Sequence, residues 1–312
     1  MSVEELKELQ EKIISKNKKC NMIGTIIMLI IIACTIIFIL TSDFKYKFFA
    51  IFAVFFELIM GLIIIAIIKS SINSKDIDKF DKEFKNIFVL KSLNSVFEDL
   101  KYNPKEGLKE SVIENTGMMD TGDRFESNDY ISGTYKNIKF EQSDIIVQEK
   151  HEEKDDEGHT KITWETIFEG RWMIFDFNNK FKANLQVSSL DFSGDYTPLI
   201  KGYSKVEMED IEFNKDFSVF TDLEHDAFYI LTPHFMEKIK NIYKKLDCGL
   251  MFCFIDSKLH IAIDNYKDAF EYDVFKKINE EEIKADIMKD IELITNFVDE
   301  LNLDNNLFKE SK

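Results

Sequence analysis

The sequence predicts an α+β protein in which an N-terminal transmembrane helical hairpin precedes a cytoplasmic domain with a mostly antiparallel sheet and flanking helices. Two long apolar runs lie within the first 70 of the 312 residues. The middle of the chain is rich in β-branched and aromatic residues that partly alternate with polar ones, as in strands. Further on, apolar residues recur at spacings of three and four, as in helices.

The composition excludes several other classes of protein. Hydrophobic residues make up 45% of the chain, which is enough to build a core and excludes dominant disorder. With 11 glycines, 3 prolines and 4 cysteines, neither a collagen-like repeat nor a disulfide scaffold is consistent with the sequence.

The two apolar runs have the length of membrane spans. Met22–Leu40 has no charged residue, and Phe48–Ile68 has one. A bilayer core about 30 Å thick needs roughly twenty helical residues, and Thr41–Lys47 is long enough only for a turn. The predicted segments are a cytoplasmic N-terminal segment (1–21), a two-helix transmembrane hairpin (22–68), a juxtamembrane helix (69–103) and a cytoplasmic α+β domain (104–312).

The distribution of lysines predicts the orientation of the hairpin. Five lysines precede the first span and five follow the second between positions 69 and 85, whereas the turn has only Lys45 and Lys47. The positive-inside rule therefore places both termini in the cytoplasm and predicts a multi-pass membrane protein. The first run is too long for the apolar part of a cleavable signal peptide, and no A-x-A-like site follows it.

Glu57 is the one charged residue within the predicted spans and is our candidate intramembrane polar site. It lies four residues from Ala53 and from Gly61, on a small-residue face that favours close helix packing. One interpretation is a proton or cation site. The other is a protonated carboxyl that bonds Thr35 of the facing helix, or its own copy in an oligomer.

Local patterns predict the elements that follow the anchor. Apolar residues from Ile77 to Leu100 occupy one face of a long helix that Pro104 would stop. Thr232 and Pro233 have the residue types of a helix N-cap and first position, and another helix covers about 280–301. The predicted strands are Tyr135–Gln148, Thr163–Asn178, Phe181–Val187, Met251–Ile255 and Leu259–Ile263.

Few residues have the types and spacing of a catalytic or metal-binding site. The acidic stretch from His151 to His159 is interpreted as a solvated hairpin loop, because its calcium-loop register puts Trp164 where a glutamate is required. Whether its residues 152–157 bind a cation stays open. Cys248 and Cys253 lack a second cysteine pair for zinc, and Glu224-His225-Asp226 is interpreted as a turn. The sequence therefore nominates no catalytic, cofactor-binding or metal-binding residue.

Charge restricts the partners of the cytoplasmic part. Residues 69–312 carry 33 basic and 51 acidic side chains, so nucleic acid and the anionic inner leaflet would repel them. Arg124 and Arg171 are the only arginines, so no arginine cluster is present for phosphate binding. The expected partners are the bilayer, through 22–68, and another protein or a second copy of the chain.

Particular strings resemble a bacterial family of uncharacterised membrane proteins, domain of unknown function 3137. These strings include Ser127–Gly133, Ile138–Phe140, Ile167–Gly170, Asp176–Phe181, Met208–Phe213, Phe217–Phe220, Ala227–Glu237 and Ser257–Ile263. The resemblance implies a protein of the bacterial inner membrane with two spans before a soluble domain. It implies no activity and no catalytic residue.

Three functions are consistent with these observations. The expected one is a membrane-anchored cytoplasmic binding or scaffolding module rather than an enzyme. An alternative is a membrane-bound enzyme for a cell-envelope or lipid-derived substrate, which requires a deep pocket with converging carboxylates of shifted pKa. The third is an oligomeric ion or proton conductor that uses Glu57.

Overall fold

The structure is a computed structural model, and it describes residues 1–41, 56, 59, 61–63, 66, 74–154, 159–177, 180–192 and 196–301. These residues form two compact units. The first contains the described part of Met1–Phe88 together with Tyr272–Glu280. The second contains the described part of Val89–Glu271 and Glu281–Lys312.

The first unit is built on one continuous helix, α1 (Val3–Thr41), and on the beginning of a second, α2 (74–94). The rings of Phe80 and Phe84 pack against Tyr272, the latter with centroids 4.9 Å apart. Gln10 Nε2 donates to the carbonyl oxygens of Val274, at 2.9 Å, and of Lys276, at 2.7 Å. The predicted cytoplasmic segment and first span are thus a single helix, anchored at its N-terminal end.

The C-terminal half of α1 exposes its apolar side chains. Within the described residues, one helix, Val3–Ile37, is long and apolar enough to cross a membrane by length and composition. Its exposed side chains include Met22, Ile23, Ile26, Ile27, Leu29, Ile30, Ile36 and Ile37. Most of the second predicted span lies outside the described residues. Phe56, Ile59, Gly61–Ile63 and Ala66 are described, and all of them are helical.

The predicted juxtamembrane helix is too long at its C-terminal end. Helix α2 contains a π-helical segment, Lys85–Val89, and ends at Asn94. Glu98–Asn103 then forms a strand, β1, instead of two more helical turns. The spacing of Phe97 and Leu100 fits a helix, but pairing with a neighbouring strand satisfies the backbone of this segment, and local periodicity does not report such pairing.

The second unit contains a nine-stranded sheet in which every neighbouring pair is antiparallel. Its order is β1-β2-β3-β4-β9-β8-β5-β7-β6. The further strands are β2 (Arg124–Tyr135), β3 (Ile138–Lys154), β4 (Thr160–Asp176), β5 (Leu185–Ser189), β6 (Ser204–Val206), β7 (Phe217–Thr221), β8 (Gly249–Ile255) and β9 (Lys258–Asp264). This confirms the α+β class and the mostly antiparallel sheet.

Five further helices accompany the sheet: α3 (Glu110–Glu114), α4 (Ile211–Asp216), α5 (Glu224–Ile230), α6 (Pro233–Leu246) and α7 (Glu280–Leu301). Helix α6 begins as predicted, with the Thr232 hydroxyl accepting from the Phe235 N–H and Pro233 at the first position. The interpretation of Glu224-His225-Asp226 as a turn was wrong, because these residues begin α5.

The sheet has two faces with different coverings. On the helix face, Phe252 packs on Phe297 of α7, and Phe254 packs on Phe235 of α6. On the loop face, Phe168 contacts Phe192, and Leu108 packs in the same core as Trp172. The loop face is therefore covered by residues from 104–122, 190–192 and 196–203.

The acidic stretch from His151 to His159 begins as strand. His151–Lys154 continue β3, and Lys154 pairs with Thr160 of β4, which confirms the predicted hairpin and shortens its loop. Residues 155–158 lie outside the described residues. The imidazole Nε2 of His151 lies 2.8 Å from Glu165 Oε2 on the exposed arm of this hairpin.

Candidate functional site

Those residues singled out from the sequence that the structure describes do not converge. Glu57 lies outside the described residues, while the Thr35 hydroxyl donates to the carbonyl of Ile31 in its own helix, at 2.6 Å. Cys248 and Cys253 are both free thiols. Burial raises the pKa of Cys248 to about 11 and that of Cys253 to about 12, so both stay protonated at neutral pH.

A buried charged cluster on the helix face was not singled out from the sequence. Asp144 on β3 lies opposite Arg171 on β4, and both side chains are buried. Arg171 Nε lies 3.5 Å from Asp144 Oδ1, and the Ala269 N–H donates to Asp144 Oδ2 at 2.8 Å. A charge pair in such a place requires close pairing, because a buried carboxylate loses its hydration.

Arg171 also binds helix α7. Its Nη1 donates to the Asp290 carbonyl at 2.8 Å, and its Nη2 donates to Asp290 Oδ1 at 3.1 Å. The other carboxylate oxygen of Asp290 accepts from the Phe270 N–H at 3.2 Å. One guanidinium therefore links the centre of the sheet to α7 and to the loop that follows β9.

Two more aspartates complete the cluster. Asp129 lies in a β-bulge of β2 with a φ of 50°, and its Oδ1 accepts from the Tyr102 hydroxyl. Asn128 Nδ2 donates to Asp129 Oδ2 at 3.2 Å and to Asp268 Oδ1 at 3.4 Å. One carboxylate oxygen from each of Asp129, Asp144 and Asp268 lies within 4.8 Å of the others.

The electrostatics of Asp144 reflect this setting. Burial raises the pKa of Asp144 from an ordinary 3.8 to about 7, against the opposing effects of Arg171 and of the Ala269 N–H. The charges of Asp129 and Asp268 raise it further. Desolvation therefore outweighs the pairing of Asp144 with Arg171.

Hydrogen bonding within the cluster is incomplete. Asp144 Oδ1 has no hydrogen-bond partner, and neither has the amide nitrogen or the amide oxygen of Gln142. Gln142 is fully buried and lies two residues before Asp144 on β3, so both side chains are on the helix face. Orphaned buried amides are rare and call for a specific explanation.

An open pocket of about 330 Å³ lies elsewhere on the sheet. It is lined by residues of β1–β4 that include Lys101, Lys139, Glu141 and Asp176. The Tyr130 hydroxyl, also in the lining, donates to Glu141 Oε2 at 2.8 Å. Asp129, Asp144 and Asp268 are not among its lining residues, so the aspartate cluster and this pocket are separate features.

A comparison with models of protein families matches one segment of the chain. Residues 166–303 match the family model DUF3137, described as a protein of unknown function. The resemblance is thereby confirmed over that segment. A comparison with curated proteins found no match.

A comparison with solved structures gave a match. The crystal structure of the mycobacterial trehalose monomycolate transport factor A, TtfA, covers 70% of this chain and 94% of its own, with 8% identity and a TM-score of 0.37. At that score the likeness carries no argument about function.

The cluster lies across the boundary of the DUF3137 segment. Arg171, Asp268 and Asp290 are inside it, whereas Asp129 and Asp144 precede it. One signal in the sequence pointed to this site: Arg171, one of only two arginines, interrupts the apolar part of β4. Nothing local connects it with aspartates about 100 residues further along the chain.

Proposed function

We propose that this chain is a two-span protein of a bacterial inner membrane that presents its second unit in the cytoplasm as a binding or scaffolding module. The observation that carries the proposal is the exposed apolar surface of α1. A row of large aliphatic side chains from Met22 to Leu40 is exposed. Water disfavours such a surface, whereas lipid accepts it.

Contacts in the first unit support the hairpin. Asp76, which follows the second predicted span, forms ion pairs with Lys12, at 3.3 Å, and with Lys16, both of which precede the first span. The hydrogen bond from Lys16 lowers the pKa of Asp76 below its usual value. A Cβ on Gly61 would lie 3.5 Å from Met28 Cγ, as expected for two spans in contact.

The separation of the open pocket from the buried charged cluster favours a binding role over catalysis. The enzyme alternative requires converging carboxylates of shifted pKa within a deep pocket, whereas the pocket on β1–β4 is open and does not include Asp144, whose pKa is raised. The excess of acidic side chains in residues 69–312 favours a partner with a basic surface, because long-range attraction raises the association rate.

Cysteine labelling tests the topology. In a chain whose four native cysteines are replaced by serine, we would compare Ser2→Cys, Ser42→Cys and Ser311→Cys with a membrane-impermeant maleimide on intact spheroplasts. The expected result is labelling of Ser42→Cys in intact spheroplasts, and of the other two only after permeabilisation. Labelling of Ser2→Cys and Ser311→Cys from opposite sides would contradict the hairpin.

Affinity purification tests the binding role. The full chain, cross-linked in cells and purified in mild detergent, should retain a stoichiometric partner with a basic surface. Without the cross-linker, that partner should be lost between about 50 and 500 mM salt, because salt screens exposed charges. An unrelated two-span protein of equal abundance serves as the control. Recovery of no stoichiometric partner would contradict a scaffolding role.

A further inference from the structure

We propose that Asp129, Asp144 and Asp268 bind one calcium ion, with Gln142 Oε1 as a further ligand. The three carboxylates come from β2, β3 and the loop after β9, so the fold rather than one sequence motif brings them together. They are hard oxygen donors, which suit calcium and magnesium and do not select zinc or copper.

The oxygen donors are compatible with calcium. Three oxygens, one per aspartate, lie within 4.8 Å of one another. Calcium binds six to eight oxygens at about 2.3–2.6 Å in flexible geometry, which such a group can supply. Magnesium requires near-ideal octahedral geometry and usually keeps several waters beside one or two carboxylates, so three carboxylates and an amide favour calcium.

Gln142 provides the independent observation. Its side chain is fully buried, and neither end of its amide has a hydrogen-bond partner. It lies on the same face as Asp144, and the bulge that contains Asp129 falls between the partners of these two residues on β2, since Asn128 pairs with Asp144 and Ile131 with Gln142. An amide oxygen in this place is a typical calcium ligand.

The site also has an access path. Asp268 is exposed and lies on the loop between β9 and α7, whereas Asp129 and Asp144 are buried. Asn128 Nδ2 bonds both Asp129 and Asp268, which keeps these two carboxylates near each other. A cation would therefore enter from the side of Asp268 and meet the buried oxygens behind it.

Calorimetric titration tests the site. The full chain in detergent, stripped with chelator, would be titrated with calcium chloride and, separately, magnesium chloride. We expect one calcium ion per chain, bound at least tenfold more tightly than magnesium. Asp268→Asn should lower the calcium affinity at least tenfold, and because Asp268 is exposed this variant should fold normally. No saturable calcium binding up to about 10 mM would overturn the proposal.

Two further variants distinguish this site from binding elsewhere on an acidic chain. Asp256→Asn removes an exposed aspartate in the β8–β9 turn, paired with Lys180, and should leave the calcium affinity unchanged. Gln142→Leu should lower the affinity several-fold while keeping the circular dichroism spectrum. Equal calcium affinities in Asp268→Asn, Gln142→Leu and the parent chain would overturn the assignment.

Discussion

The two faces of the sheet differ in the type of buried polar groups and in how fully these groups are hydrogen-bonded. On the loop face the buried groups are neutral and most of them are paired, although Ser127 Oγ has no hydrogen-bond partner. Trp172 Nε1 donates to His260 Nδ1 at 3.2 Å, Gln186 Nε2 donates to the Thr116 carbonyl at 2.7 Å, and the Tyr196 hydroxyl donates to Gln186 Oε1. This network ties the covering loops to the strands, as satisfied buried networks do.

On the helix face the buried polar groups include a charge pair, and the pairing around it is incomplete. Asp144 and Arg171 form an ion pair, yet Asp144 Oδ1 and both ends of the Gln142 amide have no hydrogen-bond partner. Hydrogen bonding within the structure therefore accounts for most of the buried polar groups of the loop face. The helix face retains polar groups that structure alone does not explain.

Removing the Arg171 guanidinium from the helix face should have the largest effect on stability. Arg171→Met leaves Asp144 and Asp290 without their buried partner and should lower the free energy of unfolding by roughly 3–5 kcal/mol. Urea titration of the full chain in detergent, followed by circular dichroism, measures this.

The other arginine is the matched control for that variant. Arg124 lies on the surface, with its guanidinium carbon 4.0 Å from the Trp164 ring centroid. Arg124→Met should cost less than about 1 kcal/mol, as exposed cation–π contacts do. Similar costs for the two variants would mean that burial of charge does not distinguish the two sites.

Breaking the network of the loop face should have the next largest effect. Gln186→Leu leaves the Thr116 carbonyl without its amide donor and the Tyr196 hydroxyl without its acceptor. It should lower the free energy of unfolding by about 1–3 kcal/mol. A variant as stable as the parent chain would show that the network is not a stabilising feature of this face.

His260, on the loop face, should make the free energy of unfolding depend on pH. Burial, with a smaller contribution from Lys258, lowers the pKa of His260 to about 3, against an ordinary 6.5 in the unfolded chain. The unfolded state therefore binds one more proton between these values. Stability should be undiminished above pH 6.5 and fall by about 1.4 kcal/mol per pH unit below it.

The variant His260→Asn isolates this contribution. Its amide oxygen can still accept from Trp172 Nε1, but it does not titrate. Urea titrations at pH 7, 6 and 5 should show the parent chain losing stability relative to the variant at lower pH, since the carboxylates titrate in both. Parallel stability curves would contradict the assignment to His260.

The smallest effect on stability is expected from the same substitution, glutamine to leucine, on the helix face. In calcium-free buffer Gln142→Leu should change the free energy of unfolding by less than about 1 kcal/mol or raise it, because no hydrogen bond is lost and an orphaned amide is removed. A loss as large as that of Gln186→Leu would show that Gln142 is paired after all, and would remove the contrast between the faces.

Elements with local signals were predictable from the sequence. Thr232 and Pro233 specify the start of α6 by their own side-chain chemistry, and the apolar periodicity of α7 specifies its buried stripe. Glu98–Asn103 was assigned wrongly because its apolar spacing suits a helix as well. Pairing with β2 decided its state, and that pairing is not a local property.

Composition and short-range periodicity were enough to predict the α+β class, the apolar character of the N-terminal region and the acidic balance of the chain. They could not predict which polar residues meet, because strand register and packing bring those residues together. Asp144 and Arg171 become neighbours through the β3–β4 register, and Asp268 and Asp290 join them from about 120 to 150 residues beyond Asp144. Strand pairing and packing over such separations create buried electrostatics that no short stretch of sequence encodes.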